Sequence, residues 1–523
     1  MRENANSQSD DRRAAFSRGL GGLTAANLIN KSLGYVRDAL LVAFFGGGAL
    51  ADAYYAAFRV VNVFRRTVGE GALNAVFIPM LEKEKAASGD GARRFFSSAW
   101  TAVLLLSGLL CAAGIVFRAQ LASAAAWGFK AGPAGQLELT ALLTAVLMPH
   151  LLFVNVSALF TAALNSARRF FLPALTAASF SLAVIALLAA FHIGLFPGLD
   201  ERGKLVLLAA AASASGLLQA LTLLPALRKE GFSPALSAPA ETLRTAPLLL
   251  AAAPAAFTLA QDQVSMLINT LYASFLPAGA VTAIYNSSRL VQFPVSLFAA
   301  AAASVSLPEL ALRGAAGDSA GFRRGLAPAM AASWLVMLPA ALGIAVTALP
   351  VCAALFEHGR FSPEQTRVTA DALFWLALGL PAYGFNKVSA SAMYAMGRGR
   401  APLLIVTVQL ALNAALCPLF MHGLGAGGLM LATSVSSWAA ALAFAALLRR
   451  AAGFDPLSDL PVLKPAAAAG AAALAALLLC RALAAAGPLA QTAAAVPAAV
   501  LVYFCLLRAF KVEERKLITG GRF

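Results

Sequence analysis

LTALLTAVLMPHLLFVNVSALFTAAL, residues 139–164, decides the class of this protein. The run holds no Lys, Arg, Asp or Glu. At 1.5 Å per residue it is long enough, as a helix, to cross a hydrocarbon core of roughly 30 Å. Comparable runs lie at Ala99–Phe117, Leu205–Leu227 and Pro402–Met421. The whole 523-residue chain is 60% hydrophobic and only 12% charged, about half the charged fraction of a soluble domain. Helices are the open spanning element that satisfies its own backbone polar groups. The expected fold is therefore an all-α polytopic membrane protein.

About fourteen apolar segments can be marked. They lie near 19–45, 50–80, 95–117, 137–164, 171–196, 204–227, 245–275, 281–311, 324–350, 366–395, 401–421, 425–448, 463–485 and 488–510. Segments one, two, seven and eight are longer and more interrupted, with Gly34, Pro254 and Pro294 as expected breaks. Broken helices of this kind are tolerated where they line a cavity.

Loop charge orients the segments. Every second connection, counted from the N-terminal tail, together holds 26 of the 40 Lys and Arg residues, and the alternate loops hold six. The positive-inside rule then puts both termini in the cytoplasm. The net charge of +16 does not point to nucleic acid, because the basic residues sit in short loops without interleaved aromatics. Five scattered cysteines and four scattered histidines show no metal-ligand spacing. The polar first residues lack the apolar core of a signal peptide and read as a cytoplasmic tail.

Eight basic residues remain inside segments. A charge at the bilayer centre costs at least about 2.5–3.5 kcal/mol, so such residues face a cavity or a partner. At 100° per residue Asp52, Arg59, Asn62, Arg66 and Glu70 share one face of the second segment. Tyr55 lies on the same side, Arg65 sits at the margin, and Arg66 and Glu70 are spaced for an ion pair. In the first segment Asn27, Lys31, Gly34 and Asp38 share a face, flanked by Asn30 and Arg37. Segment eight adds Asn286 and Arg289, with Gln292 nearby. A hydrated, net-positive cavity lined this way suits an anion, and Arg suits phosphate through its two-pronged fork. Blander readings compete: Arg65-Arg66 as a cytoplasmic anchor, Arg37-Asp38 as a self-neutralising structural pair, and Arg289 as a snorkelling side chain.

The same residues form a signature. LGYVRD (33–38), AFFGGGALADAYYAAF (43–58) and NVFRRTVGEGALNAVFIP (62–79) resemble the opening motif of the MurJ/MviN family of lipid II flippases. Further matches are ALNSARRFFLPAL (163–175), INTLYASFLPAG (268–279), YNSSRLVQFP (285–294) and LFEHGRFS (355–362), so the resemblance covers nearly the whole chain. It implies a multidrug/oligosaccharidyl-lipid/polysaccharide exporter fold: two six-helix lobes around a central cavity plus two C-terminal helices. The implied layout is a tail at 1–16, an N-lobe at 17–230, a C-lobe at 243–450, helices thirteen and fourteen at 460–511, and a tail at 512–523.

The implied activity is transport, not catalysis. Undecaprenyl-diphosphate-linked lipid II would pass from the cytoplasmic to the periplasmic leaflet of the bacterial inner membrane by alternating access, for cell wall biosynthesis. Membrane lipids are expected partners, nucleic acid is not, and a monomer is expected. The alternative within the superfamily is an exporter of another lipid-linked oligosaccharide or amphipath. A membrane-embedded glycosyltransferase or phosphatase would need carboxylates or metal ligands on a sizeable loop, and the loops here are short. A non-transporting scaffold with an occluded cavity is the remaining reading.

By this resemblance Lys31, Arg37, Asp38, Asp52, Arg59, Arg65, Arg66, Glu70 and Arg289 are the expected substrate-binding residues. Lys31 stands where the family commonly has Arg, so the charge is kept and the fork lost. Val61 replaces the Pro of a Pro-Asn motif, and Ser288 and Gln292 stand where acids are often found. Asn269, Asn413 and Thr433 are the expected ion-binding residues, with Cys417 where a carboxylate would be expected. No cofactor is implied beyond coupling to sodium, protons or the membrane potential.

Overall fold

A computed structural model describes residues 26, 28–65, 77–87, 89–239, 241–242, 253–304, 319–455, 460 and 462–512. Among them there is no strand. The chain divides into two compact units: residues 1–45 with 53–267, and residues 46–52 with 268–523.

The first unit opens with α1 (residues 28–45). Then come α2 (Ala49–Arg65), α3 (Ile78–Ala87), α4 (Gly89–Val116) and α5 (Arg118–Ala126). They are followed by α6 (Gln136–Ser166), α7 (Phe171–Thr176), α8 (Ser179–His192) and α9 (Glu201–Lys229). The core gathers Phe77, Phe96, Phe160, Leu159 and Leu223 where α3, α4, α6 and α9 meet. At roughly 25 cal/mol per Å², apolar burial of this kind is the main favourable term.

α10 (Ala253–Ala273) passes from the first unit into the second after Leu267. The second unit continues with α11 (Ala280–Ser304), α12 (Ser319–Phe356), α13 (Pro363–Ala377) and α14 (Leu380–Ala395). It ends with α15 (Arg400–Ala452), α16 (Leu463–Ala482) and α17 (Pro488–Ala509). Its core centres on Phe322, Leu326, Met337, Met393, Phe444 and Leu448.

One proline and one bend in this unit are matched by side-chain donors. Pro339 has no N–H to give the Leu335 carbonyl one turn earlier. The Tyr503 hydroxyl donates to that carbonyl at 2.8 Å, and so fastens α17 to α12. α13 and α14 meet at a 46° bend. The carbonyls freed there accept from α15: Ser434 Oγ donates to Trp375 O at 2.7 Å and Trp438 Nε1 to Leu378 O at 3.0 Å. Gly379 lets Ser434 come this close, since a Cβ there would stand 2.6 Å from Ser434 Oγ.

The all-helical polytopic class stands. Among the described residues eight helices are long and apolar enough to cross a membrane, and nine if α13 and α14 form one bent span. The expected fourteen is larger than this number, which leaves out the charge-bearing helices. α1 and α2 hold Lys31, Arg37, Asp38, Asp52, Arg59 and Arg65, which apolarity alone does not credit. α15 would be about 80 Å long if straight, but it bends at Gly425 (φ 54°, ψ −131°), between the two runs expected there.

Other expectations shift. α1 runs unbroken through Gly34 and α11 through Pro294, because losing one hydrogen bond or one side chain leaves the rest of a helical ladder intact. The change of unit falls inside α10, after Leu267. The last two helices pack on α12 and belong to the second unit.

Candidate functional site

Arg37 and Asp38 of α1 fold into a neutralised pair. Arg37 Nε and Nη2 donate to Asp38 Oδ1 at 2.8 and 2.5 Å. Arg37 Nη1 donates to Ser181 Oγ of α8 at 3.5 Å, and the guanidinium lies 4.6 Å from the centre of the Phe180 ring. Arg37 is 6% exposed and Asp38 1%, so the pair meets the desolvation cost with charge, hydrogen bonds and a π face together. Lys31 on the same helix is half-buried. Asn30 Nδ2 donates to Ala174 O at 2.5 Å.

The polar face of α2 divides between the two units. Asp52 belongs with the second, where its carboxylate accepts three hydrogen bonds. Gly279 N is 2.6 Å from Oδ2, and Thr282 N and Oγ1 are 2.8 and 2.6 Å from Oδ1. These amides open α11, so Asp52 caps that helix from another segment and lies against the positive end of its dipole. Gly47, two residues before α2, donates its N–H to Gln365 Oε1 at 3.0 Å. Gly279 (φ +102°) lies against the Gly47 carbonyl, which a Cβ at 279 would overlap.

Arg59 and Arg65 belong with the first unit. Arg59 is 7% exposed and donates to Gln263 Oε1 of α10 at 3.4 Å. Arg65 Nε donates to Asn62 Oδ1 at 3.0 Å. Arg66 and Glu70 lie outside the described residues. The single continuous surface expected from periodicity is thus two differently engaged groups, because a shared helix face does not choose what it will meet.

In α11 Arg289 is half-buried and donates to Gln292 Oε1 at 3.3 Å. One turn earlier Asn286 is fully buried, and neither polar atom of its amide has a hydrogen-bond partner. Periodicity identified these positions but missed Phe180, Ser181, Gln263, Gly279 and Thr282. Nothing local marks them, since each lies more than 140 residues from its partner in the chain.

Asn269, Asn413 and Thr433 do come together, with Cys417. Asn269 Nδ2 donates to Thr433 Oγ1 at 2.8 Å, Asn413 Nδ2 to Asn269 Oδ1 at 3.2 Å, and Thr433 Oγ1 to Asn413 Oδ1 at 3.3 Å. The Cys417 thiol points to Asn269 Oδ1 at 3.5 Å. Every side-chain oxygen of this buried group already faces an N–H, O–H or S–H donor. A hard cation wants several oxygens turned toward it, usually with a carboxylate among them. The group as built does not fit one.

Apolar helices that bury Arg37, Asp38, Asp52 and Arg59, with bent spans among them, are the architecture of a membrane transporter. The fold agrees. It superposes on "Lipid II flippase MurJ, inward closed conformation" with a TM-score of 0.75 at 21% identity, covering 94% of this chain and 99% of that one. It superposes on an inward-facing multidrug resistance MATE family transporter of the MOP superfamily with a TM-score of 0.66 at 17% identity, over 80% and 94% of the two chains. The profile of the family "Lipid II flippase MurJ" matches residues 41–490. The chain belongs to that family. It is 33% identical to the probable lipid II flippase MurJ of Rhizobium meliloti strain 1021 over 92% of this chain and 91% of that protein. It is 29% identical to the lipid II flippase MurJ of Burkholderia cenocepacia over 84% and 85%.

Proposed function

We propose that this chain moves lipid II from the cytoplasmic to the periplasmic leaflet of the bacterial inner membrane by alternating access, as a monomer with both termini in the cytoplasm. The observation that carries this reading is the burial of Arg37 and Arg59 in the helices of a chain matching the flippase family over residues 41–490. A buried guanidinium in a membrane helix is costly, and a diphosphate is the anion its fork fits. Asp38 takes the Nε/Nη2 edge of Arg37 and orients the ring-stacked group. Lys31, Arg65, Arg66 and Arg289 supply further positive charge, while Asp52 holds the start of α11. The prenyl chain stays in lipid beside α16 and α17, where Leu463, Leu474, Leu478, Leu489 and Leu501 are exposed. With the Asn269 group uncharged and self-satisfied, the energy source is the membrane potential or a proton gradient.

The test is to deplete the resident flippase of a bacterium, express this chain, and measure lipid II exposed on the outer face of the inner membrane. Wild-type chain restores the exposed pool. Arg37→Ala and Arg289→Ala each reduce it at least about tenfold, the effect of losing one strong charge-assisted contact. No exposed lipid II despite normal membrane levels sinks the proposal. Full activity in both variants sinks the assignment of the anion site.

A further inference from the structure

At one end of the first unit, α3, the start of α4, and the ends of α6 and α9 enclose a cleft of about 410 Å³. Lys85, Arg93, Glu230, Gly231 and Phe232 line it, and no residue assigned to the transport path takes part. α6 is 31 residues long and α9 is 29. Both lengths, about 46 and 44 Å as helices, exceed the hydrocarbon core, so their ends reach headgroup depth. By the orientation proposed above this is the cytoplasmic side. The same end carries Lys83, Arg94, Arg168, Arg169, Arg228 and Lys229.

The charges within the cleft are unevenly matched. Lys85 Nζ lies 2.9 Å from both Glu82 Oε1 and Ser166 Oγ, so the ammonium is held in place. Glu230 Oε1 accepts from Arg169 Nε at 3.1 Å. Each acid therefore already has a cation. Among the described residues the Arg93 guanidinium has no hydrogen-bond or ion-pair partner, and it faces the opening left by Gly231. Gly231 has φ +82°, and a Cβ there would stand 3.5 Å from Arg93 Nη2. The first turn of α4 contributes Ala92 to the wall, but its positive dipole end is offset by the carbonyl ends of α6 and α9 at the same cleft, so the attraction for an anion rests on the Arg93 and Lys85 side chains. Arg168, also at this end, takes φ 61°, a left-handed conformation usual for Gly, so a cationic side chain stands where Gly would relieve the backbone. Phe232, buried at the base, closes the cleft with an apolar wall.

We propose that this cleft binds the phosphate of an anionic phospholipid headgroup, gripped by the Arg93 guanidinium and seated on the Lys85 ammonium. Basic pockets between spanning helices at headgroup depth are suited to that ligand. Free phosphate shares the chemistry but lacks the acyl chains that would hold it at the membrane surface.

The test is native mass spectrometry of the full chain in detergent, titrated with phosphatidylglycerol or phosphatidylcholine. Wild type should bind phosphatidylglycerol at least about tenfold more tightly. Arg93→Gln should weaken that binding about fivefold and Arg93→Gln with Lys85→Gln about thirtyfold. Arg94→Gln, outside the cleft, should change it less than twofold. Inorganic phosphate at millimolar concentration should not displace the lipid. Equal affinity for the two lipids in wild type overturns the proposal without recourse to any variant. So does an Arg94→Gln effect equal to that of Arg93→Gln, which would mean diffuse surface charge. Displacement by inorganic phosphate would make the ligand a free anion and also overturn it. Melting temperatures of the variants matched to wild type exclude unfolding as the cause of weakened binding.

Discussion

Replacing Asp52 tests how the second helix is used. Its carboxylate accepts three hydrogen bonds, from Gly279 N, Thr282 N and Thr282 Oγ1, at 2.6, 2.8 and 2.6 Å. All of these groups are buried. Asp52→Ala removes a helix cap, which costs about 1–2 kcal/mol. It also strands further buried donors, at about 1–3 kcal/mol. The sum is about 3 kcal/mol of local stability at the start of α11. Asp52→Asn keeps one acceptor oxygen but turns an amide N–H toward the Gly279 N–H, so about half of that is lost. At about 1.4 kcal/mol per factor of ten, the amides of residues 279–283 should exchange with deuterium about 100-fold faster in Asp52→Ala and about 10-fold faster in Asp52→Asn. Hydrogen exchange read by mass spectrometry on peptides spanning α10 to α11 gives the answer. Unchanged protection in Asp52→Ala would refute the capping role. Lost transport with unchanged protection would return Asp52 to the substrate.

Gly279→Ala should be poorly tolerated, with folded yield in detergent falling severalfold, because the new Cβ meets the Gly47 carbonyl and φ +102° is left-handed. Gly48→Ala, which meets nothing within 4 Å, is the matched control and should fold normally. Tyr503→Phe should cost about 1 kcal/mol, seen as a lower melting temperature. In a Pro339→Ala background, where an N–H can again serve Leu335, the cost should fall by half or more; equal costs would show that the hydroxyl is not replacing the missing donor. Cys417→Asp places a carboxylate among Asn269, Asn413 and Thr433. Sodium, compared with equal potassium, should raise the melting temperature of that variant and leave the wild type unmoved. A sodium shift already present in the wild type would contradict the uncharged reading of this group.

The stretches legible from sequence are those whose physics is local. An apolar run such as Leu139–Leu164 has to become a helix because lipid offers its backbone no partner, and α6 spans it. Gly425 falls between two apolar runs, and there the long α15 turns. Gly34 and Pro294 looked like the same punctuation, yet the helices continue through them, since the tolerance of a break depends on neighbours that composition does not reveal. Arg37-Asp38 was open to two readings, a cavity charge or a self-neutralising pair. Phe180 and Ser181, which complete the pair, come from a helix far along the chain.

Sequence alone determined that this chain lives in a membrane as a bundle of helices, that charge is buried in the first two, and which family signature those charges spell. Periodicity follows from 3.6 residues per turn, and the penalty for burying charge is the same wherever the helix lies. Only the tertiary structure decided the partners. It gave Asp52 to the amides of α11, Arg59 to Gln263, and the Leu335 carbonyl to Tyr503. It also closed Asn269, Asn413 and Thr433 into an uncharged group and left Arg93 facing a cleft. A helix face fixes which residues point the same way, but the surface opposite is chosen by the packing of segments more than a hundred residues distant.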